Sequence, residues 1–119
     1  MNSNLPHEHG TDQASIRSKM PAPEDCQTIA AVFKQVGDGN RLRIFWILCH
    51  CEECVINLAA LMDMSSPAVS HHLKQLHSGG LISSRREGKE VYYKAADTRL
   101  ARLLHQFIEQ VMEIACPSS

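Results

Sequence analysis

A mainly helical α+β fold with a single β-hairpin is the class this sequence predicts, and three observations predict it. Apolar residues recur every three or four positions through five separate stretches, the mark of helices with one buried face. The stretch LISSRREGKEVYYKA, residues 81–95, instead alternates apolar and polar residues and breaks once at Glu87, Gly88 and Lys89. The whole chain has 119 residues, the size of one domain able to bury a core without disulfides.

Residues 1–23 are polar and interrupted by Pro6, Gly10, Pro21 and Pro23, so they read as a flexible tail ahead of a domain at 24–119. Ile29, Val32, Phe33 and Val36 then mark a first helix that stops at Gly37, Asp38 and Gly39. Asn40 is placed to cap a second helix at 41–50, with Leu42, Ile44, Phe45, Ile47 and Leu48 as its apolar residues. A third, at 55–62, carries Ile56, Leu58, Leu61 and Met62.

A fourth helix starts at Ser65 or Ser66, whose hydroxyls suit an N-cap, and Pro67 is tolerated in its first turn. Its buried stripe is Val69, Leu73 and Leu76, which leaves Ser70, His71, Lys74 and Gln75 on the outer face, and Gly79 and Gly80 end it. Two short helices joined tightly, the second polar and basic outside, fit a helix-turn-helix; an ordinary helical hairpin with a solvated side is the alternative. The hairpin that follows carries Arg85, Arg86 and Lys89 at or beside its tip, where long cations reach phosphates. A basic hairpin after a helix-turn-helix is the winged variant.

The closing helix, 97–115, holds Leu100, Leu103, Leu104, Phe107, Ile108, Val111, Met112 and Ala115 on a continuous stripe. So small a domain has too little core to cover it, so Leu100, Leu104, Phe107, Ile108 and Val111 are expected to form the seam of a homodimer. Folding back onto the domain's own core is the alternative.

Charge supports a polyanion partner only through its distribution. The chain has 12 basic and 13 acidic residues, a net charge of −1. Residues 65–94 nevertheless hold five basic against two acidic side chains, whereas residues 1–64 hold five against eight.

The most concentrated chemistry is CHCEECV, residues 49–55, where three of the five cysteines fall within six positions. An odd cysteine count, a polar amino-terminal stretch and no apolar run near the roughly 18 residues of a membrane span point to the cytoplasm, to reduced thiols and to no membrane partner. Clustered thiols in a reducing compartment serve more often as metal ligands or redox groups than as structural bridges.

Taken together, FKQVGDGNRLRIFWIL, the run EECVINLAALMDMSSPAVSHHLKQLHSGGLISSRREGKEVYYK and the closing helix resemble the ArsR/SmtB family of bacterial metal- and metalloid-sensing repressors. The resemblance covers about residues 24–115. It implies a homodimeric winged helix-turn-helix that occupies double-stranded operator DNA and leaves it when an inducer binds. The recognition helix would run over residues 66–77, with Ser66, Ala68, Ser70, His71, Lys74 and Gln75 facing DNA, and the wing would supply Arg85, Arg86 and Lys89. One family ligand site, in a segment like E-L-C-V-C-D-L, keeps only Cys54 here, because Ile56 and Asn57 replace its later positions. A second, D-x-H-x10-H-x2-E in the closing helix, keeps Asp97 and Glu113 but has Arg99 and Gln110 for its histidines. Arginine does not give up a proton to become a ligand, so that site is expected to be absent.

Cys49, Cys51 and Cys54, with Cys26 from the first helix, then read as a replacement site. Soft thiolates select thiophilic ions such as trivalent arsenic or antimony, cadmium, lead, zinc or copper(I). Three sulfurs suit a pyramidal metalloid, and a fourth ligand from Cys26 or His50 suits a tetrahedral metal. Cys116, His7 and His9 are lesser candidates. The alternative within the same fold is a repressor whose thiols sense oxidants or reactive sulfur. Residues 51–54 are formally C-x-x-C, but no βαβ pattern surrounds them, so neither an enzyme nor a small organic substrate is expected.

Overall fold

A computed structural model describes residues 5–7, 9, 10 and 12–118 of the chain. Two units divide it, residues 1–31 and 32–119.

The first unit contains a helix where only a flexible tail was expected. In α1 (Gln13–Lys19) the Asp12 carboxylate accepts the Ser15 amide at 3.1 Å and so caps the first turn. Met20 is extended ahead of Pro21, as a residue before proline prefers, and ends it. No side chain of α1 is buried. The unit also takes in the beginning of α2 (Pro23–Gln35), whose opening proline needs no amide partner there. Residues 1–4, 8 and 11 of the expected tail lie outside the described residues.

The second unit builds the core. Its helices are α3 (Gly39–His50), α4 (Val55–Met62), α5 (Ser66–Ser78) and α6 (Arg99–Ala115), with the end of α2; its strands are β1 (Glu53–Cys54), β2 (Ile82–Glu87) and β3 (Glu90–Ala95). The start of α3 is capped by Asp38 rather than Asn40, because the Asp38 side chain accepts the Arg41 amide at 3.0 Å. That bond holds the Asp38 carboxyl below the usual carboxylate range. Asp63, in the left-handed region at φ 53, closes α4 and turns the chain into Ser65, whose hydroxyl accepts the Ala68 amide at 3.3 Å to start α5.

The end of α5 shows why two glycines stand there. Gly80 takes φ 76, which lets Leu81 return its amide to the Leu76 carbonyl at 3.0 Å and Gly80 its own to His77 at 3.1 Å. Leu81 thereby enters the core, 1% exposed. Gly88 has φ 62 at the first loop position of the β2–β3 hairpin, which a primed turn requires.

β1 extends the hairpin into a three-stranded antiparallel sheet of order β1-β3-β2. Glu53 pairs with Tyr93 and Cys54 with Tyr92. The core joins Ile44, Phe45 and Leu48 of α3, Leu58 and Met62 of α4, and Val69, Leu73 and Leu76 of α5 with Leu81 and Ile82. Ala101, Leu104 and Ile108 of α6 complete it, each 6% exposed or less. Leu104 and Ile108, expected in an outer seam, are buried in the protomer's own core. The face of α6 left in solvent carries Leu100, Leu103, Phe107, Val111, Met112 and Ile114, from 36% to 81% exposed.

Candidate functional site

With Val69, Leu73 and Leu76 turned inward, α5 presents Ser66, Ser70, His71 and Lys74 to solvent, while Ala68 and Gln75 are half-buried at its flanks. The wing carries three cations, but only two are unengaged. Among the described residues Arg86 and Lys89 are exposed and make no ion pair. Arg85 is committed elsewhere. Its Nε and Nη2 donate to the two Glu52 carboxylate oxygens at 2.8 and 2.6 Å, and its Nη1 donates to Glu87 at 2.6 Å. The guanidinium also lies 4.9 Å over the Tyr92 ring. Arg85 draws the Glu52 carboxyl below its ordinary range, and both carboxylates hold Arg85 more firmly protonated. Instead of reaching outward, this side chain latches the wing to the segment between α3 and α4.

That segment is the cysteine-rich one. Cys49 is half-buried near the end of α3, Cys51 is exposed at its C-cap with Sγ 3.5 Å from the Ile47 carbonyl, and Cys54 is half-buried, both strand residue and N-cap of α4. Cys26 lies exposed on α2 in the first unit, with Sγ 3.8 Å from the Pro21 carbonyl, and Cys116 is exposed at the C-cap of α6. All five are free thiols. Cys49, Cys51 and Cys54 are not gathered into one set: among the described residues, the one set of three His, Cys, Asp or Glu ligand atoms within 4.8 Å of one another is His50, His105 and Glu109. Sequence reasoning named His50 and missed the other two. The available signal was their i,i+4 spacing on a helix, but their partner on α3 is more than fifty positions away.

Burial, reinforced by the Glu109 charge, pushes the Cys49 thiol up to about 11. Its thiolate fraction near neutrality is then roughly 100-fold below that of an ordinary thiol, and greater intrinsic nucleophilicity recovers only about 10-fold. Metal-free, reduced protein treated with iodoacetamide at pH 8 should therefore label Cys49 about 10-fold more slowly than free cysteine, by peptide mass mapping. Glu109→Gln should narrow that gap; equal rates in the unmodified chain would mean that the thiol is not held protonated.

An apolar groove of about 350 Å³ runs between α3, α6 and the end of α2, lined by Phe33, Leu42, Phe107, Val111 and Met112 among others. It continues the exposed face of α6.

These features coincide with a known architecture. Residues 38–84, from the α3 cap to the first wing strand, match the family model described as "Bacterial regulatory protein, arsR family". The chain is 35% identical over 98 residues to the "Transcriptional repressor SmtB homolog" of a Synechocystis strain, which covers 82% of this chain and 74% of that one. It belongs to the ArsR/SmtB family. A second relative, the "Cadmium resistance transcriptional regulatory protein CadC" of Listeria innocua, is 34% identical over 110 residues, covering 89% of this chain and 90% of its own. Among solved structures, the crystal structure of a possible transcriptional regulatory protein from Mycobacterium bovis shares 33% identity and a TM-score of 0.65, over 76% of this chain and 97% of that fragment. A solution structure from the same organism, described as a homodimeric winged helix-turn-helix DNA-binding domain, shares 30% identity and a TM-score of 0.63, over 88% and 91%. Membership in ArsR/SmtB makes the chain a winged helix-turn-helix transcriptional regulator and not an enzyme. No described helix is long and apolar enough to cross a membrane.

Proposed function

We propose that the chain is a homodimeric repressor that leaves double-stranded operator DNA when a thiophilic metal or metalloid ion binds Cys49, Cys51 and Cys54, with Cys26 as a candidate fourth ligand. The observation that carries this reading is the pairing of Cys54 with Tyr92, which makes the cysteine segment a strand of the wing's own sheet. The Glu52–Arg85 latch is a second tie between the same two parts. Because the three thiols are not gathered in advance, an ion that takes all three must move at least one of them, and that strain falls on β1, the wing and the start of α4. The cadmium-resistance regulators among the relatives agree with a soft ion. The tightly held proton of Cys49 slows its oxidation and equally must be released when an ion binds, so ion affinity should rise with pH.

In the dimer, two α5 helices meet successive major grooves of an operator built from inverted half-sites, and the wings lie along the backbone. Ser70 and His71 read base edges; Arg86 and Lys89 neutralise phosphates. Arg85 braces the wing. Fluorescence anisotropy of a labelled operator should show release by about one equivalent of arsenite or cadmium per protomer, reversed by chelation. Retention of DNA at saturating ion of every class would overturn the proposal.

The wing assignment carries its own expected result. Each phosphate contact contributes about 0.9 to the slope of log affinity against log salt. Arg86→Ala with Lys89→Ala removes two cations per protomer, so the slope of the dimer should fall by roughly 3 to 4 while sequence preference stays. A slope unchanged by the double substitution would take the wing off the DNA.

A further inference from the structure

The end of α3 and the middle of α6 meet at a group of nitrogen and oxygen donors separate from the DNA-reading surface and distinct from the thiols. His50 Nε2, His105 Nε2 and Glu109 Oε1 stand 3.2 to 3.3 Å from one another. A zinc ion with ligands at 2.0–2.1 Å in tetrahedral geometry has neighbouring ligand atoms about 3.3–3.4 Å apart. The three atoms thus span one face of such a shell and leave one corner for water or a further donor. Donor chemistry narrows the ion further. Two imidazoles and a carboxylate suit zinc and its borderline neighbours, whereas calcium and magnesium prefer all-oxygen sites and trivalent arsenic prefers thiolates.

The surroundings hold the donors in place. Trp46 Nε1 donates to Glu109 Oε1 at 2.9 Å, an outer hydrogen bond of the kind that orients ligands around metals. The Trp46 ring lies 4.1 Å from that of His50, and the His50 and His105 rings meet edge to face at 86°. Trp46 with His50, and His105 with Glu109, are each one helical turn apart, so rigid backbone sets both halves. We propose that His50, His105 and Glu109 form a binding site for a borderline divalent cation, zinc(II) by geometry and donor set, that ties the end of α3 to α6. The site uses none of the thiols, although His50 lies between Cys49 and Cys51 in the chain. It also uses none of the closing-helix positions Asp97, Arg99, Gln110 and Glu113. An ion here fixes the residue that immediately precedes Cys51.

Cobalt(II) titration separates this site from the thiols. The 119-residue chain with Ser at positions 26, 49, 51, 54 and 116, or wild type with its thiols chemically blocked, should bind one cobalt(II) per chain. It should show the visible bands of tetrahedral cobalt, no sulfur-to-metal charge-transfer band, and displacement by zinc(II). His105→Gln and Glu109→Gln should each weaken binding at least about 100-fold, since even an outer partner is worth about 10- to 100-fold. Their metal-free circular dichroism and melting midpoint should match the parent's, while the zinc-induced rise in midpoint disappears. Failure of both thiol-free forms to bind cobalt, or undiminished binding by His105→Gln, overturns the site and leaves the thiol-based reading untouched.

Discussion

Phe107→Asp is expected to give a folded protomer that does not dimerise, and Leu104→Asp, one turn earlier on α6, is expected to give no folded protein. The contrast follows from which way each side chain faces. Leu104 is 5% exposed among the core residues, whereas Phe107 is 52% exposed beside the apolar groove. Removing a buried leucine costs about 2–5 kcal/mol, and an unpaired carboxylate left in its place adds several more. That sum rivals the 5–15 kcal/mol that hold a typical domain together. Phe107 is about half exposed, so its aspartate reaches water in the protomer and is penalised chiefly where a second copy must cover it. The penalty falls twice in a two-fold interface; at about 2 kcal/mol each for a central aromatic, dimer dissociation should rise roughly 1,000-fold. Sedimentation should report the monomer, circular dichroism an intact fold, and anisotropy a parallel loss of operator affinity. A dimeric Phe107→Asp would place the interface elsewhere, and a soluble, folded Leu104→Asp would take Leu104 out of the core.

The same helix shows how far the sequence could be read. Its apolar stripe correctly marks α6 as having more hydrophobic surface than the protomer hides, but spacing alone did not show that the stripe divides into two adjoining faces. Leu104 and Ile108 go to the core, and Leu103, Phe107 and Val111 stay outside. Local signals fared better. The Ser65 cap, Pro67 in the first turn and the glycine pair after α5 each act within a few residues, and α5 begins and ends where they put it. Asp38 displaced Asn40 as the α3 cap because the two differ by two positions in one polar run, and only the backbone decides which side chain reaches the Arg41 amide. What stayed hidden depends on distant pairing. β1 has two residues and no period of its own; it exists because Tyr92 and Tyr93 lie opposite. The Arg85 latch joins residues 33 positions apart, and so a cation that looked free on the hairpin is tied down. His50, His105 and Glu109 come together only through the packing of α3 on α6.

Replacing Cys51 and Cys54 by Ser should leave operator affinity near that of the original chain and abolish release by the thiophilic ion. Loss of response through unfolding is not the expected route. Cys54 is the N-cap of α4 and makes no side-chain cap hydrogen bond, whereas serine is among the best capping residues and gains about 0.5–2 kcal/mol over a non-capping side chain. Cys51 is exposed at the C-cap of α3, where a hydroxyl is solvated in place of the thiol. The variant should thus melt no lower than its parent while it lacks two of the three sulfurs that a pyramidal or tetrahedral soft ion requires. Release demands that the ion favour free over DNA-bound dimer by about 1–3 kcal/mol, and DNA must weaken ion binding by the same factor. Glu52→Gln separates binding from coupling, because it keeps every sulfur and replaces the charged latch on Arg85 with a neutral contact. That variant should bind the ion about as tightly as wild type, yet show a smaller shift in operator affinity when the ion is bound. If the double serine variant still leaves DNA at the same ion concentration, the sensor is not this cluster. If Glu52→Gln couples at full strength, the strain reaches the reading heads through α4 and not through the wing.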